Sequence, residues 1–239
     1  MFHPKAACAR LARTSPPLRR LRALVLAIPL GFPGLTACAG ADEAPTAADR
    51  AAIVARFSNI PQEGVVLGAP DAPVTLTVFI DLQCPFCREF AERVEPTLVE
   101  RYARTGKARL VVRNLAFLGP ESRAAARMAG AVGLQDHLWQ FSALVFAAAK
   151  SENSGALDDA FLRRMAGAIP LVDVDRAAAD SDSSAVTAQL DDARKEASHF
   201  GIHAAPTFLL GKTGETPRGL EPAHLTPAAF EEAIDALLP

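Results

Sequence analysis

Cys84 and Cys87 are the residues whose type and spacing point most directly to chemistry. A thiolate is both a nucleophile and a metal ligand. Two cysteines at this spacing fit half of a zinc site, or a redox pair that opens and closes as a disulfide. Zinc takes about four ligands, usually a second cysteine pair or a pair of histidines. The other cysteines are Cys8 and Cys38, so no second Cys-x-x-Cys is present. Two core cysteines without chemistry are the third reading. The surroundings favour the redox pair. Val74-Thr75-Leu76-Thr77-Val78-Phe79-Ile80 is β-branched and apolar, with Pro73 before it, and predicts a buried strand. From Cys87 onward, Phe90, Ala91, Val94 and Leu98 recur at helical spacing. The pair therefore sits where a strand ends and a helix begins. One thiol can be exposed and nucleophilic there, and the other, one turn later, can resolve a mixed disulfide.

The rest of the chain must position that turn. At 239 residues it is long enough for one domain, or one domain with an insertion. Half the residues are hydrophobic and 22% charged, an ordinary globular balance. The net charge of -2 hides an asymmetry. Residues 1–37 carry six basic side chains and no acid, so the remainder, with 19 basic and 27 acidic, is at -8. No basic stripe follows, which argues against nucleic-acid binding. The N-terminus reads as a secretory signal: basic residues to Arg22, an apolar run from Ala23 to Leu30, then small residues. Pro29 and Pro33 make the run a poor membrane span. Leu35-Thr36-Ala37-Cys38 resembles the lipobox of bacterial lipoproteins, which implies cleavage before Cys38 and a lipid anchor on it. Export permits disulfides, and with Cys8 removed and Cys38 lipidated only the Cys84–Cys87 pair remains for redox work.

After a tether and a short helix capped by Asp49 (38–60), Val65-Val66-Leu67 suggests a short strand. The active helix runs to about Thr105, with Pro96 expected to kink or split it and Gly106 to close it. Ala108 to Arg113 is a second strand, completing a β-α-β unit with parallel pairing. About eighty residues of helix follow, broken near Gly133, Ser151 and Asp180. Thr207 to Leu210 is a short apolar strand, Pro217 to Leu220 a weaker one, and Thr226-Pro227 opens the last helix.

These pieces resemble the DsbA-like family of thiol–disulfide oxidoreductases over residues 60–238. The marks are Gly68-Ala69-Pro70-Asp71-Ala72-Pro73-Val74, Phe79-Ile80-Asp81-Leu82-Gln83-Cys84-Pro85-Phe86-Cys87, Leu138-Trp139 and Gly201-Ile202-His203-Ala204-Ala205-Pro206-Thr207-Phe208. The resemblance implies an α/β, thioredoxin-like fold with a central mixed sheet and an inserted all-helical subdomain. Residues 61–118 and 199–239 would form the thioredoxin-like part and 119–198 the insert. It also implies that Cys84 attacks, that Cys87 is the buried resolving thiol, and that Ala205-Pro206 is a cis peptide beside the pair. Pro85 and Phe86 lie between the cysteines. The implied activity is disulfide transfer to thiols of exported proteins in the cell envelope. A membrane redox partner would recharge the pair. No cofactor or metal is called for. Residues 41–67 show no strong dimerisation helix, so a monomer is expected. The same fold could run as a reductase or isomerase, or serve as a metal-handling or redox-inactive binding lipoprotein.

Three positions depart from the family's common form. Ala205 stands where many members have Thr or Val before the proline. Val78 stands where many have a buried carboxylate, leaving Asp81 as a weaker candidate for proton transfer. Phe86 replaces the histidine of the strongly oxidising members, which predicts an intermediate potential. His199 and His203 are four apart, but Gly201 between them should end the helix. His203, three residues before Pro206, is a candidate for tuning the Cys84 thiolate.

Overall fold

A computed structural model describes residues 45–148 and 151–239. The expectations about the signal segment and Cys38 fall on residues 1–44, outside the described residues. Helix α1 (Ala47–Ala55) opens the described chain. Its N-cap is Thr46 rather than the expected Asp49. Thr46 Oγ1 accepts from the Asp49 N–H at 3.2 Å, and Asp49 Oδ2 accepts from the Thr46 N–H at 2.9 Å. Asp49 is thus the third residue of a reciprocal capping box, which satisfies two helix-end donors at once.

A short strand absent from the sequence reading, β1 (Gln62–Glu63), pairs antiparallel with β2 (Val66–Leu67). Gly64 turns between them at φ +54, a conformation glycine adopts at little cost. The sheet runs β1-β2-β4-β3-β5-β6. Strand β3 (Val74–Ile80) is central, parallel to β4 (Ala108–Asn114) and antiparallel to β5 (Thr207–Lys212). β6 (Arg218–Leu220) closes that edge. Every β3 residue except Thr75 is buried, which explains its nearly unbroken apolar run.

The crossover from β3 to β4 is the active helix. α2 (Pro85–Arg93) ends at Val94, and α3 (Glu95–Leu98) holds Pro96 in its first turn. Proline has no N–H to give and restricts the residue before it. The expected split falls there. A five-residue π-helical turn (Val99–Ala103) follows, and Gly106 closes the segment at φ +71. Between β4 and β5 lie α4 (Pro120–Gly133), α5 (Leu138–Ala148), α6 (Asp159–Gly167), α7 (Val174–Asp180) and α8 (Ser184–His199). Asp158, Asp173 and Ser183 cap the last three with their side chains. This is the inserted helical subdomain. α9 (Pro227–Asp235) is the last helix in the described chain. The fold class is thus the one expected: thioredoxin-like, with a mixed sheet and a helical insertion. Among the described residues, no helix is long and apolar enough to cross a membrane.

Three phenylalanines tie the site's elements together. Phe90 of α2 lies 5.0 Å from Phe208 of β5 and 5.5 Å from Phe230 of α9, and Phe208 and Phe230 are 4.8 Å apart. Phe90 is one turn beyond Cys87, and Phe208 is two residues beyond Pro206, so the cluster clamps the cysteine helix to the proline strand. Phe230 is fully buried. Phe230→Ala should cost about 3–5 kcal/mol through lost contact and the cavity left behind. Urea unfolding checks it; a change within experimental error would mean the clamp carries little of the stability.

Candidate active site

Cys84 is the N-cap of α2, at φ −69 and ψ 123. Its sulfur faces the unpaired N–H groups of the first helical turn. Pro85 at the first helical position has no N–H to satisfy and a φ suited to the helix. The structure holds both cysteines as free thiols. Cys87 is fully buried, as expected, but Cys84 is only 6% exposed. The expected open thiol is instead roofed by its neighbours. Exposure belongs to the residues between the pair: Pro85 is exposed and Phe86 is 62% exposed.

The Ala205-Pro206 peptide is cis. It lies against the pair, and the Cys84 thiol donates to the Ala205 carbonyl at 3.3 Å. Ala205 and Pro206 are partly exposed, so a polypeptide can reach main chain beside Cys84. His203 lies on the same loop but is exposed, with no hydrogen bond to either cysteine among the described residues. His199 is also exposed and stacks edge-on against Phe200. Neither histidine joins the pair.

The two thiols are held in opposite states. The Cys87 thiol, donating to Cys84, lowers the Cys84 pKa to about 7; burial works against this, and the N–H groups of Cys87 and Phe86 add to it. Burial pushes the Cys87 thiol well up, and its bond to Cys84 pushes it further. One sulfur is ionised near neutrality and the other holds its proton. Alkylation of the reduced protein should therefore follow a single ionisation with its midpoint near pH 7 at Cys84, with Cys87 unmodified. Mass-resolved iodoacetamide labelling checks this. A midpoint near the ~8.5 of free cysteine would contradict the stabilised thiolate.

Asp81 sits in this network with no exposure. Its Oδ1 accepts from the Gln83 N–H at 2.9 Å and the Ser122 hydroxyl at 2.6 Å; its Oδ2 accepts from the Leu118 N–H at 3.0 Å. Its charge opposes ionisation of both cysteines. Gln83, absent from the expected site, is equally engaged. Its amide donates to Ser122 Oγ at 2.9 Å and to the Leu118 carbonyl at 3.3 Å, and its Oε1 accepts from the Asn153 N–H at 2.7 Å. Asp81 and Gln83 thus fasten the segment before Cys84 to the start of α4 and to the loop before α6. Phe117, 48% exposed, immediately precedes Leu118, the residue these bonds fasten. Only the position of Gln83 next to Cys84 hinted at this; its partners are 35 to 70 residues away.

A nucleophilic thiol, a proton-holding thiol one turn behind it and main chain presented beside both can exchange a disulfide. That chemistry, on this fold, defines a thiol–disulfide oxidoreductase. A family model described as Thioredoxin matches residues 61–236. The chain belongs to that thioredoxin family. A Bacillus cereus protein described as "Probable disulfide bond formation protein D" is 29% identical over 147 residues, 60% of this chain and 68% of that protein. The structure of oxidised BdbD from Bacillus subtilis superposes with a TM-score of 0.63 at 21% identity, over 74% of this chain and 96% of that one. Alpha-DsbA1 of Wolbachia pipientis gives 0.61 at 23% identity, over 75% and 91%.

Proposed function

We propose that this chain is a disulfide donor of the cell envelope, passing the Cys84–Cys87 disulfide to thiols of exported proteins. The observation that carries the reading is the unequal pair: a Cys84 thiolate stabilised at the helix start beside a buried Cys87. A stabilised thiolate is the better leaving group, which favours giving the disulfide away. A substrate thiolate attacks Cys84 Sγ, the Cys84–Cys87 bond breaks, and the electron pair goes to Cys87 Sγ. A second substrate thiolate attacks the substrate sulfur, forming the substrate disulfide and releasing the Cys84 thiolate. Pro85, Phe86 and Phe117 offer apolar contact to an unfolded segment, and Ala205 offers main-chain hydrogen bonding. A membrane redox partner returns the disulfide to the pair.

The direction is tested with reduced, denatured ribonuclease A as the thiol substrate. The oxidised chain should consume two substrate thiols per Cys84–Cys87 disulfide. Rapid reduction of insulin with no oxidation of ribonuclease would instead favour the reductase reading. We further propose that the chain is tethered to a membrane through lipid on Cys38. The full-length protein should fractionate with membranes, and Cys38→Ser should release it. Membrane association unchanged in that variant would rule out the lipid anchor.

A further inference from the structure

A cavity of about 440 Å³ opens where the end of α1, β1, the start of α5 and the turn after α6 meet. Small-molecule sites run from about 300 to 1,000 Å³. Neither cysteine lines it, and neither does Pro206. Val54, Phe57, Ile60, Ile169 and Pro170 make an apolar wall. Gln62 of β1, His137 just before α5 and Gln140 within it make a polar one. Gln62 Oε1, His137 Nδ1 and Gln140 Oε1 are all buried, with no hydrogen-bond partner among the described residues. Gln140 as a whole is only 5% exposed. A buried polar atom left unsatisfied is costly. Three of them, from separate segments around one cavity, mark a place fitted to a polar group.

The polar wall has a definite sign. Of the residues that line it, Asp136 alone carries charge; no lysine or arginine is among them. Both glutamines bury their carbonyl oxygens. Burial lowers the His137 pKa below the ordinary imidazole value, with Asp136 opposing. The ring is therefore neutral at neutral pH, and a proton on Nε2 leaves Nδ1 an acceptor. Such a wall takes hydrogen-bond donors and positive charge. A primary ammonium has three N–H donors and no acceptor, one for each unpartnered atom. The last torsion of a glutamine is broad, so either amide can swing its oxygen onto the ammonium.

A second cavity, about 450 Å³, adjoins the first and shares Val54, Ser58 and Pro170 with it. Ala47, Ala51 and Ala55, four apart on one face of α1, line it with Ala168. Arg50, also in its lining, donates to the Pro45 carbonyl. At the first cavity, Leu171 is 91% exposed and sits at φ +72. A bulky side chain holds that conformation only under constraint from its surroundings. The joined space is thus polar and acceptor-rich at one end and apolar along α1.

We propose that the joined cavities bind a small amphiphilic amine. Its ammonium is held by the Gln62 and Gln140 carbonyls, His137 Nδ1 and the charge of Asp136. Its alkyl chain lies along α1 against Ala47, Ala51, Val54 and Pro170.

The test titrates the full chain with octylamine, octanol and octanoate at pH 7, below the concentrations at which they aggregate, and reads binding by calorimetry. The three probes share one tail and differ in the head. Octylamine, as its ammonium ion, should bind at one site per chain and about tenfold more tightly than octanol. Octanoate should not bind. Equal affinity for all three, or no binding of the amine, overturns the proposal. Gln140→Met removes the amide and keeps the length of the side chain. Asp136→Asn removes the charge and keeps the oxygen that accepts from the Gly64 N–H at 3.0 Å. Each should weaken octylamine about tenfold and leave octanol unchanged. An amine affinity unchanged in either folded variant overturns the proposal. Should Gln140→Met fail to fold, Asp136→Asn and the series of head groups decide it.

Discussion

Cys84→Ser should bring disulfide exchange down to the uncatalysed rate. The hydroxyl cannot form the mixed disulfide, and Cys87, fully buried, cannot replace it. The magnitude follows from what Cys84 supplies. With a pKa of about 7 it is about half ionised at pH 7, whereas a free cysteine near ~8.5 is about 3% ionised. That gain of about fifteenfold is partly offset, because a less basic thiolate is a weaker nucleophile by about fivefold over this range. The larger benefit is on departure: the same stabilisation makes Cys84 leave readily from the substrate's mixed disulfide. Loss of Cys84 removes attack, resolution and departure together. Its side chain makes few structural bonds, chiefly those to Ala205 and Cys87, so the variant should fold as the wild type does. Substrate oxidation and circular dichroism read those two effects apart. Retention of a tenth or more of the wild-type rate would show that another thiol does the work.

Cys87→Ala should convert the transient intermediate into a trap. The Cys84 thiolate still attacks an oxidised partner or substrate, but nothing resolves the product, so the mixed disulfide accumulates and turnover ceases. The variant should also change Cys84 itself. The hydrogen bond from Cys87 is the largest influence lowering its pKa. Without it the ionisation midpoint moves up toward the free-cysteine value of about 8.5. Non-reducing gels show the trapped adduct, and the alkylation profile shows the shifted midpoint. Wild-type turnover in Cys87→Ala would mean that Cys84 acts alone; an unmoved midpoint would mean that the helix start, rather than Cys87, sets its acidity.

Much of the fold was legible because local pattern and global packing agree here. The apolar run of β3, the helical period beginning at Cys87 and the parallel strand from Ala108 each carry their own signal, and together they imply the crossover. Pro96 and Gly106 marked the split and the end of the active helix through backbone restrictions that any sequence displays. The N-cap of α1 was misplaced because Thr46 and Asp49 are both good caps. Only the hydrogen bonds show that they occupy the two ends of one capping box. β1 escaped because two residues are too short for a period.

The site divides along similar lines. The cysteine pair and Pro206 could be read from spacing and resemblance. The exposure of Cys84 could not, since its cover comes from residues distant in sequence, Ala205 among them. The fastening of Asp81 and Gln83 to Leu118, Ser122 and Asn153 depends on how the helical insertion docks, and no local pattern encodes that.

The redox potential of the Cys84–Cys87 pair tests the central claim most directly. The full chain is equilibrated in glutathione buffers and its thiols are trapped and counted. Thioredoxin-fold proteins range from about −270 mV for the reducing type to about −120 mV for the most oxidising. A helix-start thiolate with Phe86, and no histidine, between the cysteines predicts a two-electron transition between about −230 and −150 mV, suited to giving a disulfide to folding proteins. A value at or below about −250 mV would contradict the account and make the chain a reductase.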